Sequence, residues 1–151
     1  IAGTGDYTGD GFADVLWRNS SGGVTFWAGT PDGFDNATGF SFDVGTDWQV
    51  TASGDFNGDN LDDILWRNAD GALTVWTGTG TGFTGTAGFY NVVDPSWQVA
   101  ETGDYNGDGS DDVLWRHSSG SLTWWASTGS GFDGNTGFFA QVGTDWNVLE
   151  V

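Results

Sequence analysis

The chain has 151 residues, of which 21 are acidic and only three, all Arg, are basic, so it carries a net charge of −18. That balance argues against nucleic acid and anionic membranes as partners, because binding either requires cations that neutralise phosphate. There is no Cys for disulfides and no apolar run as long as a membrane span, and 27 Gly beside ten Trp read as all-β with many tight turns.

The chain begins at Ile1 and contains no Met, as expected of a processed product or an excised piece. The first patterned segment is an Asp-rich stretch, DYTGDGFAD, from Asp6 to Asp14; Trp17, Arg18 and Trp27 follow it. The same features return 49 residues later as Asp55, Trp66, Arg67 and Trp76, and again as Asp104, Trp115, Arg116 and Trp125. Trp48, Trp97 and Trp146 keep the same step, and no insertion or deletion interrupts it. The repeats therefore run 1–49, 50–98 and 99–147, with 148–151 starting a further repeat strand.

Within the second copy the pattern predicts four short strands. They are Trp48–Ser53, Asp63–Arg67, Ala72–Trp76 and Phe89–Val93, separated by the Asp loop and by turn clusters at Asn68–Gly71 and Thr77–Gly82. No segment holds a 3.6-residue apolar period for three turns, which excludes helical solenoids. A linear sandwich would not call for near-identical units. Four strands in 49 residues match one blade of a β-propeller. The expected fold is an all-β, propeller-type array of three four-stranded blades, forming part of a closed ring of about six to eight blades.

The three Asp loops place oxygen side chains at positions 1, 3, 5 and 9. These are Asp6, Thr8, Asp10 and Asp14; Asp55, Asn57, Asp59 and Asp63; and Asp104, Asn106, Asp108 and Asp112. Alternate spacing lets a curled loop turn these groups onto one centre, joined by the position-7 carbonyl of Phe12, Leu61 or Ser110. Such a set suits Ca2+, a hard cation that takes roughly six to eight oxygens, with one ion expected per repeat and three in all. Position 6 is Gly11, Asn60 or Gly109, residue types that tolerate φ > 0 at a sharp turn. Position 12 is Trp17, Trp66 or Trp115 where an EF-hand needs a Glu, so the loop is of another kind. The nine Asp at positions 1, 5 and 9 account for half of the −18, and three Ca2+ would offset six charges.

The run GDYNGDGSDDVLWR, a strand ending in Trp, and the later GTDWNV resemble the FG-GAP or VCBS-type calcium-loop repeats. The resemblance covers essentially the whole chain. It implies blades like those of integrin-α-like and lectin-like β-propellers, with the Asp loop joining the first and second strands of each blade. Thr8 departs from the usual Asp or Asn at position 3, which makes the first site the weakest of the three.

The repeated Trp residues are expected mainly in the core and between blades. Trp124 breaks the repeat where Phe26 and Val75 stand, as a core exchange would. Each Arg is expected to hold a fixed partner, a carboxylate or a Trp face, or else to hydrogen-bond a ligand between blades. The candidate ligand groups are Trp17, Arg18, Asn19 and Trp27; Trp66, Arg67, Asn68 and Trp76; and Trp115, Arg116, His117 and Trp125. His117, the only His, replaces an Asn and reads as a surface variant. With the clustered acids assigned to metal loops, and no constellation that breaks the repeat, no enzyme is expected. The reading is an extracellular, calcium-stabilised module for a carbohydrate or cell-surface partner, or else a purely structural, self-assembling or designed scaffold. It is expected either as a homo-oligomer in which two chains supply six blades or as a segment of a longer propeller.

Overall fold

The computed structural model describes residues 1–85, 89–134 and 136–146, which form three antiparallel sheets without a helix. The first sheet contains β1 (Gly3–Gly5), β2 (Asp14–Arg18), β3 (Gly23–Thr30), β4 (Gly33–Asp35) and β5 (Phe42–Asp43). In the second are β6 (Trp48–Gly54), β7 (Asp63–Asn68), β8 (Ala72–Gly78), β9 (Phe83–Gly85) and β10 (Asn91–Val92). The third holds β11 (Trp97–Gly103), β12 (Asp112–His117), β13 (Ser121–Ser127), β14 (Phe132–Asp133) and β15 (Ala140–Gln141).

Equivalent strands pair in the same register. Ile64 faces Trp76 and Trp66 faces Thr74 across β7 and β8, as Val15 faces Trp27 and Trp17 faces Thr25 across β2 and β3. A bulge falls between Val50 and Ala52 in β6 and recurs between Val99 and Glu101 in β11. These are the blade-like units that the 49-residue step predicts.

The outer edge of the blade differs from the sequence pattern. Residues 89–93, expected as the fourth strand, contribute only Asn91 and Val92, and β9 pairs beside them on the same long strand, β8. The central strand is long enough for two short edge segments to share it, and a broken edge resists pairing with other chains. Gly71 sets up the junction: its φ is +85°, its carbonyl accepts the Val93 N–H at 2.9 Å, and a side chain there would collide with the Val93 carbonyl.

Burial explains the apolar run of β7. Ile64 and Trp66 point to one side, into a cluster with Tyr7, Leu16, Val24 and Phe26 of the first blade. Leu65 points to the other side, with Phe56, Leu73 and Val75, against Val113 and Trp115 of the third. A strand covered on both faces loses the usual polar alternation. Each aliphatic side chain so buried contributes ~1.5–3 kcal/mol before the entropy of ordering is counted. In the end blades only one face is covered: Leu16 is buried while Val15 and Trp17 are half-exposed, and Val113 is buried while Leu114 is not. The inner strands β1, β6 and β11 stand side by side, as strands lining a propeller axis do.

Candidate functional site

Each Asp loop connects the first and second strands of its blade, between β1 and β2, β6 and β7, and β11 and β12. Position 4 (Gly9, Gly58, Gly107) and position 6 (Gly11, Asn60, Gly109) all have positive φ. Asn60, at +66°, is the only non-Gly residue with positive φ among those described. The expectation for position 6 therefore holds, and position 4 shares the same geometry.

The acids are turned inward by backbone N–H groups. Asp6 Oδ1 accepts the N–H of Gly9 at 2.7 Å and of Asp10 at 3.1 Å, and its Oδ2 accepts that of Gly11 at 2.8 Å. Asp55 and Asp104 repeat the arrangement, and the N–H of Gly109, ahead of its neighbours, holds the Asp104 carboxyl below its usual pKa. At position 3, Asn57 and Asn106 accept the N–H of Asp59 and Asp108. At position 5, Asp10, Asp59 and Asp108 accept the N–H two residues on, at 2.9 Å.

The ninth-position carboxylates are fully buried. Asp14 accepts N–H groups from Tyr7, Thr8 and Gly29; Asp63 accepts from Phe56 and Gly78, and Asp112 from Tyr105 and Ser127. Each thus ties its loop to the third strand. Desolvation raises all three carboxyl pKa values, that of Asp63 to about 7.

Among the described residues, no three His, Cys, Asp or Glu side chains already converge as a metal cage. The donor chemistry nonetheless fits a hard cation. Every candidate ligand is an oxygen, the buried Asp63 charge is destabilised where it stands, and Thr8 Oγ1 is buried without a hydrogen-bond partner. A cavity of about 10 Å³, room for roughly one water-sized centre, lies against Asn57, Asp63 and Thr77.

Position 8 carries a role that the sequence reading missed. Asp62 Oδ2 accepts the Asp6 N–H at 2.8 Å, and the Asp62 N–H donates to the Asp6 carbonyl at 2.9 Å, so the second blade is bonded to the first. Asp111 makes the same pair of bonds to Asp55, at 3.1 and 2.7 Å. The one available signal was compositional: position 8 is Ala13 in the first repeat and Asp in the other two.

Of the candidate ligand groups, Trp66 and Trp115 are buried and Trp17 is half-buried, each packed on its partner Trp76, Trp125 or Trp27 at 4.7–5.2 Å. Their indole N–H groups have no hydrogen-bond partner. The arginines hold carbonyls. Arg18 donates to Gly45, Arg116 to Gly143, and Arg67 to Trp97, Val93 and Asp94. Asn19, Asn68 and His117 brace their hairpin turns by bonds to residues two to four positions on.

Two equivalent grooves open beside these arginines. One of about 430 Å³ is lined by Arg18, Asn19, Thr46 and Gln49; the other, of about 440 Å³, by Arg67, Asn68, Pro95 and Gln98. The Trp rings of the candidate set do not line them.

Among known families, the FG-GAP-like repeat matches residues 6–66 and again residues 55–115, two matches offset by the 49-residue step of the chain itself. No curated protein matches the chain.

Proposed function

We propose that this chain, which belongs to the FG-GAP-like repeat family, is an extracellular calcium-bound recognition module that takes a carbohydrate or cell-surface partner and catalyses no reaction. FG-GAP repeats indicate a β-propeller repeat module, and the rest of the reading starts from that.

The observation that carries the metal is the threefold loop: oxygen donors at positions 1, 3, 5 and 9, held inward by backbone N–H groups around a buried carboxylate. Asp6, Thr8, Asp10 and Asp14 would hold the first ion, with their counterparts at 55, 57, 59 and 63 and at 104, 106, 108 and 112 for the others. Phe12, Leu61 and Ser110 would add carbonyls. Bound calcium would supply the positive charge that buried Asp14, Asp63 and Asp112 lack, so that its binding free energy becomes folding free energy. The ninth-position carboxylates would carry that stabilisation into β3, β8 and β13 through Gly29, Gly78 and Ser127.

Recognition is assigned to the interblade grooves. Each offers side-chain amides in a recess beside an arginine, repeated at successive joints, as suits a hydroxyl-rich ligand held at several places. A glycan array probed with calcium present tests this: binding weakened by Gln98→Ala and Asn68→Ala supports it. Silence across diverse sugars favours the architectural reading, to which the carbonyl-held arginines and near-identical blades also lend weight.

A further inference from the structure

The Asp loops of neighbouring blades are fastened to one another. At the first joint, between the first and second blades, Asp62 holds the N–H and carbonyl of Asp6 at 2.8 and 2.9 Å. At the second joint Asp111 holds those of Asp55 at 3.1 and 2.7 Å. The position-7 side chain closes the same contact. A Cβ on Gly9 would lie 2.6 Å from Leu61 Cδ2, and one on Gly58 would lie 3.0 Å from Ser110 Oγ. In both joints the clamped residue, Asp6 or Asp55, is the position-1 oxygen donor of the earlier loop. The clamping residue stands between positions 7 and 9 of the later loop, both of them oxygen donors in the calcium reading.

The second joint has a further link. Ser127 stands where the first two blades have Gly29 and Gly78. Like them, it donates its N–H to the ninth-position carboxylate, here Asp112 Oδ1 at 2.8 Å. Unlike them, it carries a hydroxyl, and this donates to the carbonyl of Phe56, at position 2 of the second loop. Ser127 is buried, so the bond is sheltered from water. Asp112 of the third loop is thus joined through one residue to the second loop.

Such a clamp acts in both directions. An ion that fixes positions 7 and 9 of one loop fixes the Asp between them, and with it the position-1 residue of the loop before. By linkage the effect is reciprocal. Given the calcium sites proposed above, on which this rests, we propose that calcium binding is cooperative between neighbouring loops: an ion in one loop raises the affinity of the next through the position-8 clamp, and does so more strongly across the second joint, where Ser127 adds its link.

Each loop carries its own reporter. The position-6 N–H of Gly11, Asn60 and Gly109 donates to the position-1 carboxylate at 2.8, 2.8 and 3.0 Å. Its nuclear magnetic resonance signal therefore follows that loop as calcium is added to chelator-treated protein in physiological salt. Asp59→Ala, which removes a donor of the second loop, should raise the calcium midpoint at Gly109 about twentyfold and at Gly11 about fivefold, as for coupled sites generally. Coulomb attraction alone gives the opposite sign. Losing the ion outweighs losing one carboxylate, leaves the second loop more negative and would tighten its neighbours. In a Ser127→Ala background the shift at Gly109 should shrink to that at Gly11. Ser127→Ala by itself, which touches no calcium donor, should raise the midpoint at Gly109 and leave that at Gly11 in place. Asp62→Ala should abolish the shift at Gly11, and Asp62→Asn, which keeps an acceptor for the Asp6 N–H, should restore part of it. Midpoints at Gly11 and Gly109 that stay in place or fall when Asp59 is replaced overturn the coupling and leave the calcium reading standing. Three reporters that ignore calcium overturn both.

Discussion

Replacing Asp62 with Ala tests how neighbouring blades are clamped. Asp62 Oδ2 accepts the Asp6 N–H at 2.8 Å while its own N–H donates to the Asp6 carbonyl at 2.9 Å. The substitution leaves the backbone bond in place and orphans the Asp6 N–H. A hydrogen bond to a charged group contributes ~1.5–3 kcal/mol. Burial, and then the carboxylates of Asp111, Asp55 and Asp6, raise the Asp62 carboxyl pKa, so part of that gain is offset by holding the charge. The net loss is then ~1–2 kcal/mol, or about 2–8 °C in melting temperature for a chain of this size. Asp62→Asn keeps an acceptor oxygen without the charge and should lose less than about half of that. Scanning calorimetry of calcium-loaded protein measures both. An unchanged melt for Asp62→Ala, or an Asn variant as damaged as the Ala variant, refutes the clamp.

Acidity should act in opposite directions on the metal-free and metal-loaded protein. The folded-state pKa of Asp63, about 7 against an ordinary 3.8, means that the fold binds this proton more tightly than the unfolded chain does. Without calcium, stability should therefore fall as pH rises from 5 through about 7, and Asp14 and Asp112 shift the same way. With calcium, protons compete with the ion and the slope should reverse; melts in chelator and in calcium at a series of pH values check both signs. Arg67→Ala should cost ~3 kcal/mol in urea unfolding, because it strips three carbonyls of their donor and uncovers Trp115, whereas Arg116→Ala removes a single bond and should cost under ~1 kcal/mol. At Gly54 a Cβ would lie 2.6 Å from Asp111 Oδ2, so Gly54→Ala should match Asp111→Ala in loss, while Gly103→Ala, with only the Tyr105 ring at 3.6 Å, should be nearly neutral in melting temperature.

The parts of the fold legible in the sequence are those confined to one repeat. The Asp loop leading into DVLWR or DILWR places β2, β7 and β12 and the turn before them, because loop chemistry and strand pattern are local. Position 6 was readable as a positive-φ site from Gly11, Asn60 and Gly109 alone. What lies between repeats was less accessible. That Asp62 reaches Asp6, or that Arg67 reaches the carbonyl of Trp97, depends on how one sheet sits on the next, and a 49-residue period carries no such stagger. The divided outer edge escaped for a related reason: β9 and β10 are only three and two residues long, and they become strands only through pairing with β8. The repeated Trp residues are expected mainly in the core and between blades, and Trp66 and Trp115 lie there; the half-exposure of Trp17 follows from its place on the first blade, whose outer face no sheet of the structure covers.

The most direct test of the calcium account is a calorimetric titration of Ca2+ into chelator-treated protein, followed by a melt of the loaded and stripped forms. Three loops predict about three equivalents per chain, a loaded form that melts well above the stripped one, and about two equivalents for Asp59→Ala. No binding heat together with superimposable melts would make the three loops ordinary turns closed by their own carboxylate bonds, and would contradict the account.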